Sequence, residues 1–555
     1  MSCLYQLQII NNDYSKLLLR SQCESNNDIT FDGNFDIKKF YSLFNNDIIE
    51  YSDSNIKLVK RNISTCIVGV LELFSKYSFP NNKRGIPGYI FRPIESQLPI
   101  FIVHSKIKKS KNKNQLVSVK FTKWEITDKF PKGEIISIFG DLDCLKSMEN
   151  ALLYFHDIYP KKMRYQNNIV LNNTDSRIKI TDKIFSIDPK GCRDIDDAFS
   201  IKKQKDNDIH LKVHISDVYS VLKENNLLDF IQNKCSIYQT DNIIHMLDKM
   251  LSENYCSLIQ KENRYMITLD LKMINNKIDY QIYKSFGKIT KNYCYEDELA
   301  FIERYFSDVE SIYNLVTQNK IRIKDSHKFI EALMIIYNTL FSEFLINSEK
   351  KVIFRAQSNF DYTIPKNIDE SLHKFLKILQ SDSAIYSITD NFHSSLNISN
   401  YSHSTSPIRR IVDLLNQELF HNGNILSNKY TIDSINKYEV LVKKYYRKTS
   451  ILKLANSLYL NGEDTIEGYI YEIKDNYMSI YIPDKNISIQ YKFTVSKHID
   501  RYNINYNNSS VELNFNDITY NIPLNTKIVF TILGKPDILN INDSIKINMS
   551  DFICL

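Results

Sequence analysis

A single tryptophan, Trp124, and only 12 glycines and 12 prolines stand among 555 residues, and no repeat or low-complexity linker interrupts them. Solenoid, collagen-like and linker-dominated architectures are thereby excluded. Nine cysteines are scattered singly with no C-x-x-C pair. That spacing argues against a disulfide framework and a zinc site, and for a reducing compartment. The first residues, MSCLYQLQIINNDYSK, lack a basic stretch followed by an apolar one, and the longest apolar runs fall short of the roughly 20 residues that span a bilayer. No membrane partner is expected. The expected location is intracellular, in the cytoplasm, with nucleus and organelle left open. No one sign of charge dominates: a net charge of +6 permits nucleic-acid binding without demanding it.

What is present is an apolar fraction of 43% and an aromatic fraction of 12%, the values of a globular chain. The length calls for about three or four domains. Strand-like pieces occur at 56–59 and 63–73. Val117, Val119 and Phe121 alternate as in a half-buried strand, and after Pro131 and Gly133 a second strand is predicted over 135–139. Short strands at this density suggest a small β-barrel. The lysine-rich stretch 105–114 reads as a solvated hairpin tip or a phosphate-contacting arm. Residues 171–455 mix strands and helices. Ile209, Leu211, Val213 and Ile215 alternate, with Asn207-Asp208 as the turn before them. Asp325 or Ser326 is predicted to cap a broadly apolar helix to about Asn347, and a long helix is predicted over 435–460. Alternation returns after 461, with a turn near Asn476, and suggests another small barrel.

The chemistry is concentrated in IDPKGCRDIDDAFS, where Asp188, Asp194, Asp196 and Asp197 fall within ten residues between two apolar strands. Like charges held this close raise one another's pKa and strain the loop. A divalent cation removes the difficulty, and hard carboxylate oxygens suit Mg²⁺. A pair of such ions about 3.5–4 Å apart is a common device for cleaving phosphodiesters. Cys192, inside the loop, is a poor ligand for so hard an ion and reads as a bystander.

The second informative stretch is YSHSTSPIRRIVDLLNQELF, residues 401–420. Ser406 followed by Pro407 predicts a helix start, with Ile408, Ile411, Val412, Leu415 and Leu419 as its apolar stripe. Arg409 and Arg410 would then lie in the first turn, where the helix dipole disfavours cations unless an anion binds beside them. The alternative is that Arg409 pairs with Asp413 one turn on.

Together these segments resemble the RNase II family of RNB-domain exoribonucleases, as a divergent member. The family's I-D-P…D-x-D-D-A is matched by Ile187-Asp188-Pro189 and Asp194 to Ala198. Its V-H-I-A-D-V is matched by Val213 to Val218. Ser236, Tyr238, Met246-Leu247, Leu251-Ser252 and Cys256-Ser257-Leu258 follow its next segment, and Ile330 to Met334 its V-E-E-x-M. Thr405 to Leu414 match its T-S-P-I-R-R-Y-x-D-L. Five motifs in register over roughly 175–455 are far more specific than any one.

The resemblance implies an α+β architecture, with a central RNB catalytic domain at 171–460. Cold-shock-type OB barrels are implied at 1–85 and 86–170, and an RNA-binding OB-fold barrel at 461–555. It implies processive 3′→5′ hydrolysis of single-stranded RNA to nucleoside 5′-monophosphates, with Mg²⁺ or Mn²⁺ as cofactor. In that scheme Asp188, Asp194, Asp196 and Asp197 hold the metals, with Asp196 the catalytic essential. Arg409 stabilises charge on the phosphate. Tyr238, Tyr295, Arg410, Glu331 and Ser406 contact RNA, and the barrels form a basic collar that admits only single strands. Glu331, on a buried helix, would touch a ribose or pair internally. His214 and Asp217 read as structural.

Ser404, Ile411, Asn416-Gln417 and Ala332 depart from the family pattern. They are expected to alter packing near the RNA 3′ end. A catalytically weak or inactive RNA-binding protein of the same fold is the alternative function. An unrelated metal phosphoesterase leaves the S-P-I-R-R segment and the barrels unexplained.

Overall fold

The computed structural model describes residues 3–554 apart from 12–15, 23–26, 33–41, 53–54, 78, 108–112, 126, 161–168, 173, 204–207, 298–299, 361–362, 366, 426–428, 475–476, 493–501, 508–509 and 516–517. The turns expected at Asn207 and Asn476, and half of the lysine-rich stretch, lie outside the described residues. The chain divides into two compact units: residues 1–159, 368–372 and 441–555, and residues 160–367 and 373–440.

In the first unit, period-two alternation builds sheets. Strands β1 (Cys3–Ile9), β2 (Lys16–Ser21), β3 (Ile29–Asp32), β4 (Ile48–Ser52) and β5 (Asn55–Lys60) form an antiparallel sheet in the order β3-β2-β1-β4-β5. Leu7, Leu17, Leu19 and Ile49 make its buried face. Strands β6 (Ile67–Glu72), β7 (Gly88–Pro93), β8 (Phe101–His104), β9 (Gln115–Lys123) and β10 (Lys132–Asp141) close into a barrel around Phe91, Phe101, Val117 and Val119. Gly69 is required there, because a Cβ would lie 2.2 Å from the carbonyl oxygen of Arg92 on β7. The barrel begins at Ile67, so the boundary expected at residue 85 falls between its first two strands. Alternation could not distinguish β6 from a last strand of the preceding sheet. Helix α1 (Leu145–Phe155) follows. At the far end of the chain, strands Asp464–Lys474, Tyr477–Ile482, Ile487–Lys492, Lys527–Gly534 and Ile545–Cys554 make another antiparallel five-stranded sheet.

The second unit is built on a closed barrel of its own. Its strands are β11 (Ile178–Asp188), β12 (Asp197–Lys203), β13 (Ile209–Ser216), β16 (Asn263–Ile274) and β17 (Lys277–Cys294), with α2 (Val218–Glu224) and the short ribbon β14 (Ile237–Tyr238) and β15 (Ile243–Ile244) between β13 and β16. The predicted β12–β13 hairpin is present, and β17 closes the barrel by running parallel to β11. Helices α3 (Ala300–Glu303), α4 (Phe306–Thr317) and α5 (Ser326–Asn347) follow. Asp325 caps α5 by accepting from the Lys328 amide at 2.8 Å. Phe329, Leu333, Ile336, Tyr337 and Phe341 of α5 share one core with Leu211, Val213, Ile215, Leu269 and Leu271 of the barrel. Each such side chain contributes about 1.5–3 kcal/mol of burial.

Among the described residues α5 is the one helix long and apolar enough to cross a membrane. This exceeds the sequence expectation of short apolar runs, but 72% of its most apolar stretch is buried inside the protein, as a core helix requires. Helices α6 (Glu370–Gln380), α7 (Ile411–Asn422) and α8 (Ile432–Asn461) complete the helical set.

Candidate active site

Strand β11 ends at Asp188 and β12 begins at Asp197, so barrel geometry fixes the first and last of the four aspartates. The loop between them turns through Gly191 at φ +82°, a conformation that favours glycine. Ser257 pins the loop: its hydroxyl accepts from the Ile195 amide at 3.0 Å and donates to the Arg193 carbonyl at 2.6 Å. The Leu258 amide adds a bond to the Ile195 carbonyl at 2.9 Å. The C-S-L segment of the sequence therefore serves to hold the aspartate loop.

Each carboxylate has a different environment. Asp196 is almost wholly buried. Its Oδ1 accepts from the Ile408 amide at 2.8 Å, and its Oδ2 from Arg409 Nε at 2.9 Å. Burial pushes its pKa up to about 7 against the lowering pull of Arg409. Asp194 accepts from the Tyr238 hydroxyl at 2.7 Å. Asp188 is pushed up to about 6, by burial first and by Asp194, against Ser186 and Arg409. Its Oδ2 is buried with no hydrogen-bond partner. Burial, then Asp188 and Asp196, raise Asp197 as well. Cys192 donates weakly to Asp194 at 3.6 Å, and burial raises its thiol far enough to keep it protonated, as a bystander should be.

The arginines are placed differently from the sequence prediction. Helix α7 starts at Ile411, with Arg410 as its extended N-cap residue, not at Ser406-Pro407. Residues 407–409 form a turn, in which the Arg409 and Arg410 amides donate to the Ser406 carbonyl at 3.2 and 2.9 Å. The side chain of Asp413, fully buried, accepts from the Ser406 amide at 2.7 Å and from Arg410 Nη2 at 2.8 Å. That clamp, the Ile408–Asp196 bond and a β-bridge between Cys235 and Arg410 hold the segment out of the helix. Asp413 therefore pairs with Arg410 rather than Arg409, and Arg409 is left to face Asp196.

One cavity of about 590 Å³ is lined by Asp188, Asp194, Asp196, Asp197, Tyr238, Tyr295, Glu331, Ser406, Arg409 and Arg410. The structure thus brings together all ten residues singled out in the sequence. One face of Tyr295 is covered by the His327 ring, stacked at 3.7 Å. Glu331 differs from the expectation of a buried carboxylate. It is 48% exposed and held by Lys328 at 2.7 Å, because α5 turns its polar edge outward there. His403 and Asn338 also line the cavity and were not anticipated. Burial, with Arg410 and Arg355 nearby, drives the His403 pKa well down, so the ring is neutral. Its Nδ1 meets two donors, Arg410 Nη1 at 3.2 Å and the Tyr386 hydroxyl at 3.1 Å. The remaining proton therefore sits on Nε2.

The departures from the family pattern do not line this cavity. Ile411 and Ala332 are core residues. Asn416 bonds the Ile353 backbone at 3.0 and 3.1 Å and the His403 carbonyl at 3.0 Å. Gln417 accepts from the Tyr219 amide at 3.1 Å and donates to the Ser216 carbonyl at 2.6 Å. Ser404 donates its amide to Asn338 Oδ1 at 2.8 Å. They brace the layer behind the site, with Ser404 and Asn416 bonded to Asn338 and His403 of its lining. His214 and Asp217 are structural: His214 bonds Ser200 and Thr268, and Asp217 caps α2 and pairs with Arg177 and His421.

Among the described residues no group of three or more His, Cys, Asp or Glu side chains converges on one point. Asp194 and Asp196 are turned toward Tyr238, Ile408 and Arg409. The donor chemistry nevertheless fits a hard divalent cation: four carboxylates face one cavity, and the unpartnered buried oxygen of Asp188 lacks what such an ion supplies.

A mixed α+β unit with paired carboxylates and a basic turn at one end of a closed barrel, in a chain with an N-terminal OB-type barrel, defines an RNB-type protein. The sequence matches the RNB domain over residues 177–322 and 305–423, and the Dis3-like cold-shock domain 2 over 88–157. The chain carries an RNB domain and resembles the RNase II family as a divergent member. It is 23% identical to ribonuclease R of Thermotoga maritima over 61% of this chain and 60% of the relative. It is 24% identical to ribonuclease R of Mycoplasmopsis pulmonis over 67% and 62%. The matches thus span about three fifths of these curated relatives. In fold it is similar to Mycoplasma genitalium RNase R solved in complex with ribose methylated single-stranded RNA, with a TM-score of 0.69, 16% identity and 99% and 100% coverage. It is also similar to yeast Ssd1, a pseudonuclease, with a TM-score of 0.60, 13% identity and 93% and 82% coverage.

Proposed function

We propose that the chain is an exoribonuclease that hydrolyses single-stranded RNA from the 3′ end, processively and with Mg²⁺, releasing nucleoside 5′-monophosphates. The observation that carries this reading is the convergence of four aspartates and Arg409 on one cavity. Asp188, Asp194, Asp196 and Asp197 would hold Mg²⁺, or Mn²⁺ in its place. Ions bound there supply Lewis acidity to phosphodiester cleavage. Arg409, oriented by Asp196, presents its remaining guanidinium donors to the phosphate and stabilises charge as the bond breaks. Arg410, fixed by Asp413, supports that turn and lies within reach of a neighbouring phosphate. Tyr238 and the open face of Tyr295 offer sequence-tolerant contacts to bases, each worth about 1–3 kcal/mol. Ser406 and Glu331 complete the polar rim. The scattered cysteines fit a cytoplasmic setting.

A second reading is an RNA-binding protein of the same fold with little or no catalysis. The carboxylates turned toward Arg409, Ile408 and Tyr238 rather than a common point favour it. One assay separates the two. With Mg²⁺, a 5′-labelled single-stranded RNA should shorten stepwise while a 3′-labelled one releases its label at once. Binding with no shortening of any single strand would leave only the second reading.

A further inference from the structure

A second cavity, of about 500 Å³, lies against β11, β12, β13 and the side chains of Tyr293, Phe301, Arg304 and Tyr305, and shares no lining residue with the aspartate cavity. One wall is aromatic. Phe185, Tyr293 and Phe301 form a triangle of rings with centroids 5.9, 5.3 and 5.2 Å apart, and none is fully buried. The other wall is cationic. Asp182 is the one carboxylate in the lining, and it is occupied by Lys202 at 2.9 Å and Lys212 at 2.8 Å. Lys183 and Arg304 also line the cavity, both exposed, and neither makes an ion pair among the described residues.

Arg304 lies 4.8 Å from the Tyr305 ring centroid, a contact that leaves its charge uncompensated. Lys202 and Lys212 are matched by Asp182 and Asp270, so the excess positive charge of the lining rests on Lys183 and Arg304 and favours an anion. A guanidinium and an ammonium suit a phosphate, by fork and by point charge respectively. The ring triangle offers aromatic surface to a flat heteroaromatic group. The volume lies in the range that accommodates one small ligand.

We propose that this cavity is a second nucleotide site, binding a nucleobase together with its phosphate, separate from the aspartate cavity and independent of whether RNA is hydrolysed there. A free nucleoside monophosphate and a nucleotide within an RNA strand carry the same chemistry.

Calorimetric titration of the full chain with AMP in EDTA tests it, since without divalent cations the aspartate cavity repels an anion. Ribose 5-phosphate and adenosine serve as half-ligands, and K183E/R304E and Arg409→Ala as variants. AMP should saturate one site and bind more tightly than either half. The double substitution, at two exposed positions, should weaken it by at least about tenfold, while Arg409→Ala leaves it unchanged. A short oligoadenylate that displaces AMP identifies an RNA strand as the natural source; one that does not identifies the free nucleotide. The proposal is overturned by absence of saturable AMP binding, by unchanged affinity in K183E/R304E, or by loss confined to Arg409→Ala.

Discussion

Asp196 is buried, accepts an amide and a guanidinium, and still has its pKa pushed up to about 7. Its partner Arg409 commits Nε to Asp196, which in the proposed mechanism leaves the guanidinium tip for phosphate. Arg409→Ala should lower kcat on single-stranded RNA by about 10²–10³-fold, the usual loss for one charge-stabilising donor, read in steady-state kinetics. Undiminished kcat would remove Arg409 from the site. The unpartnered Asp188 oxygen leads to a second expectation. Mg²⁺ in hundredfold excess over its Kd should stabilise the folded chain by about 2.7 kcal/mol relative to EDTA, seen as a rise in Tm that Asp188→Asn diminishes. An identical Tm in Mg²⁺ and EDTA would count against metal binding there.

Asp217 gives the sign of the acid response. Burial alone would raise its pKa, but His421 and Arg177 hold it well below the usual 3.8. A depressed carboxyl contributes stability that is present above pH about 4 and is lost as pH falls further toward the folded value. Asp217→Asn should cost about 3–5 kcal/mol at pH 7, by leaving Arg177 buried without its partner. It should also flatten the decline of stability below pH 4, which denaturant titrations across pH would reveal.

At the scale of elements, the α5 core is the main support under the site. Phe329→Ala, at a fully buried position facing the barrel, should cost about 3–5 kcal/mol in urea unfolding. The elements with strong local signals were legible in the sequence: α5 from Asp325 to Asn347, the β12–β13 hairpin and the β9–β10 alternation. The turn at 406–410 was not. A serine followed by proline favours a helix start, and the Asp413 clamp together with contacts distant in sequence, from Asp196 and Cys235, diverts it. Asp413 was weighed as a partner, but a three-residue spacing from Arg410 replaced the four-residue spacing from Arg409 once the turn shifted the register. The barrel inside the second unit was also invisible, because its closure depends on the parallel pairing of β11 with β17, about a hundred residues apart. Ser404, Asn416 and Gln417 were expected to alter packing near the RNA 3′ end. They brace the rear layer of the cavity, and residue type alone cannot tell a facing side chain from one behind it.

At the scale of the whole molecule, a net charge of +6 makes electrostatics a local matter. If RNA lies along Arg409, Arg410 and its neighbours, the affinity of a catalytically silent Asp196→Asn protein should fall linearly in a log–log plot against salt, with a slope of about −0.7 for each phosphate neutralised. Salt-independent binding would argue against a phosphate-directed interface. The RNB domain is shown by the sequence match over residues 177–423. Activity depends on whether the carboxylates, now partly turned toward Arg409 and Tyr238, can act together. The most direct test is the release of nucleoside 5′-monophosphates from single-stranded RNA in Mg²⁺ by the wild-type chain and by Asp196→Asn. The account predicts stepwise mononucleotide release by the first and none by the second, with RNA binding retained in both. Equal release by both proteins, or none by either, would contradict it.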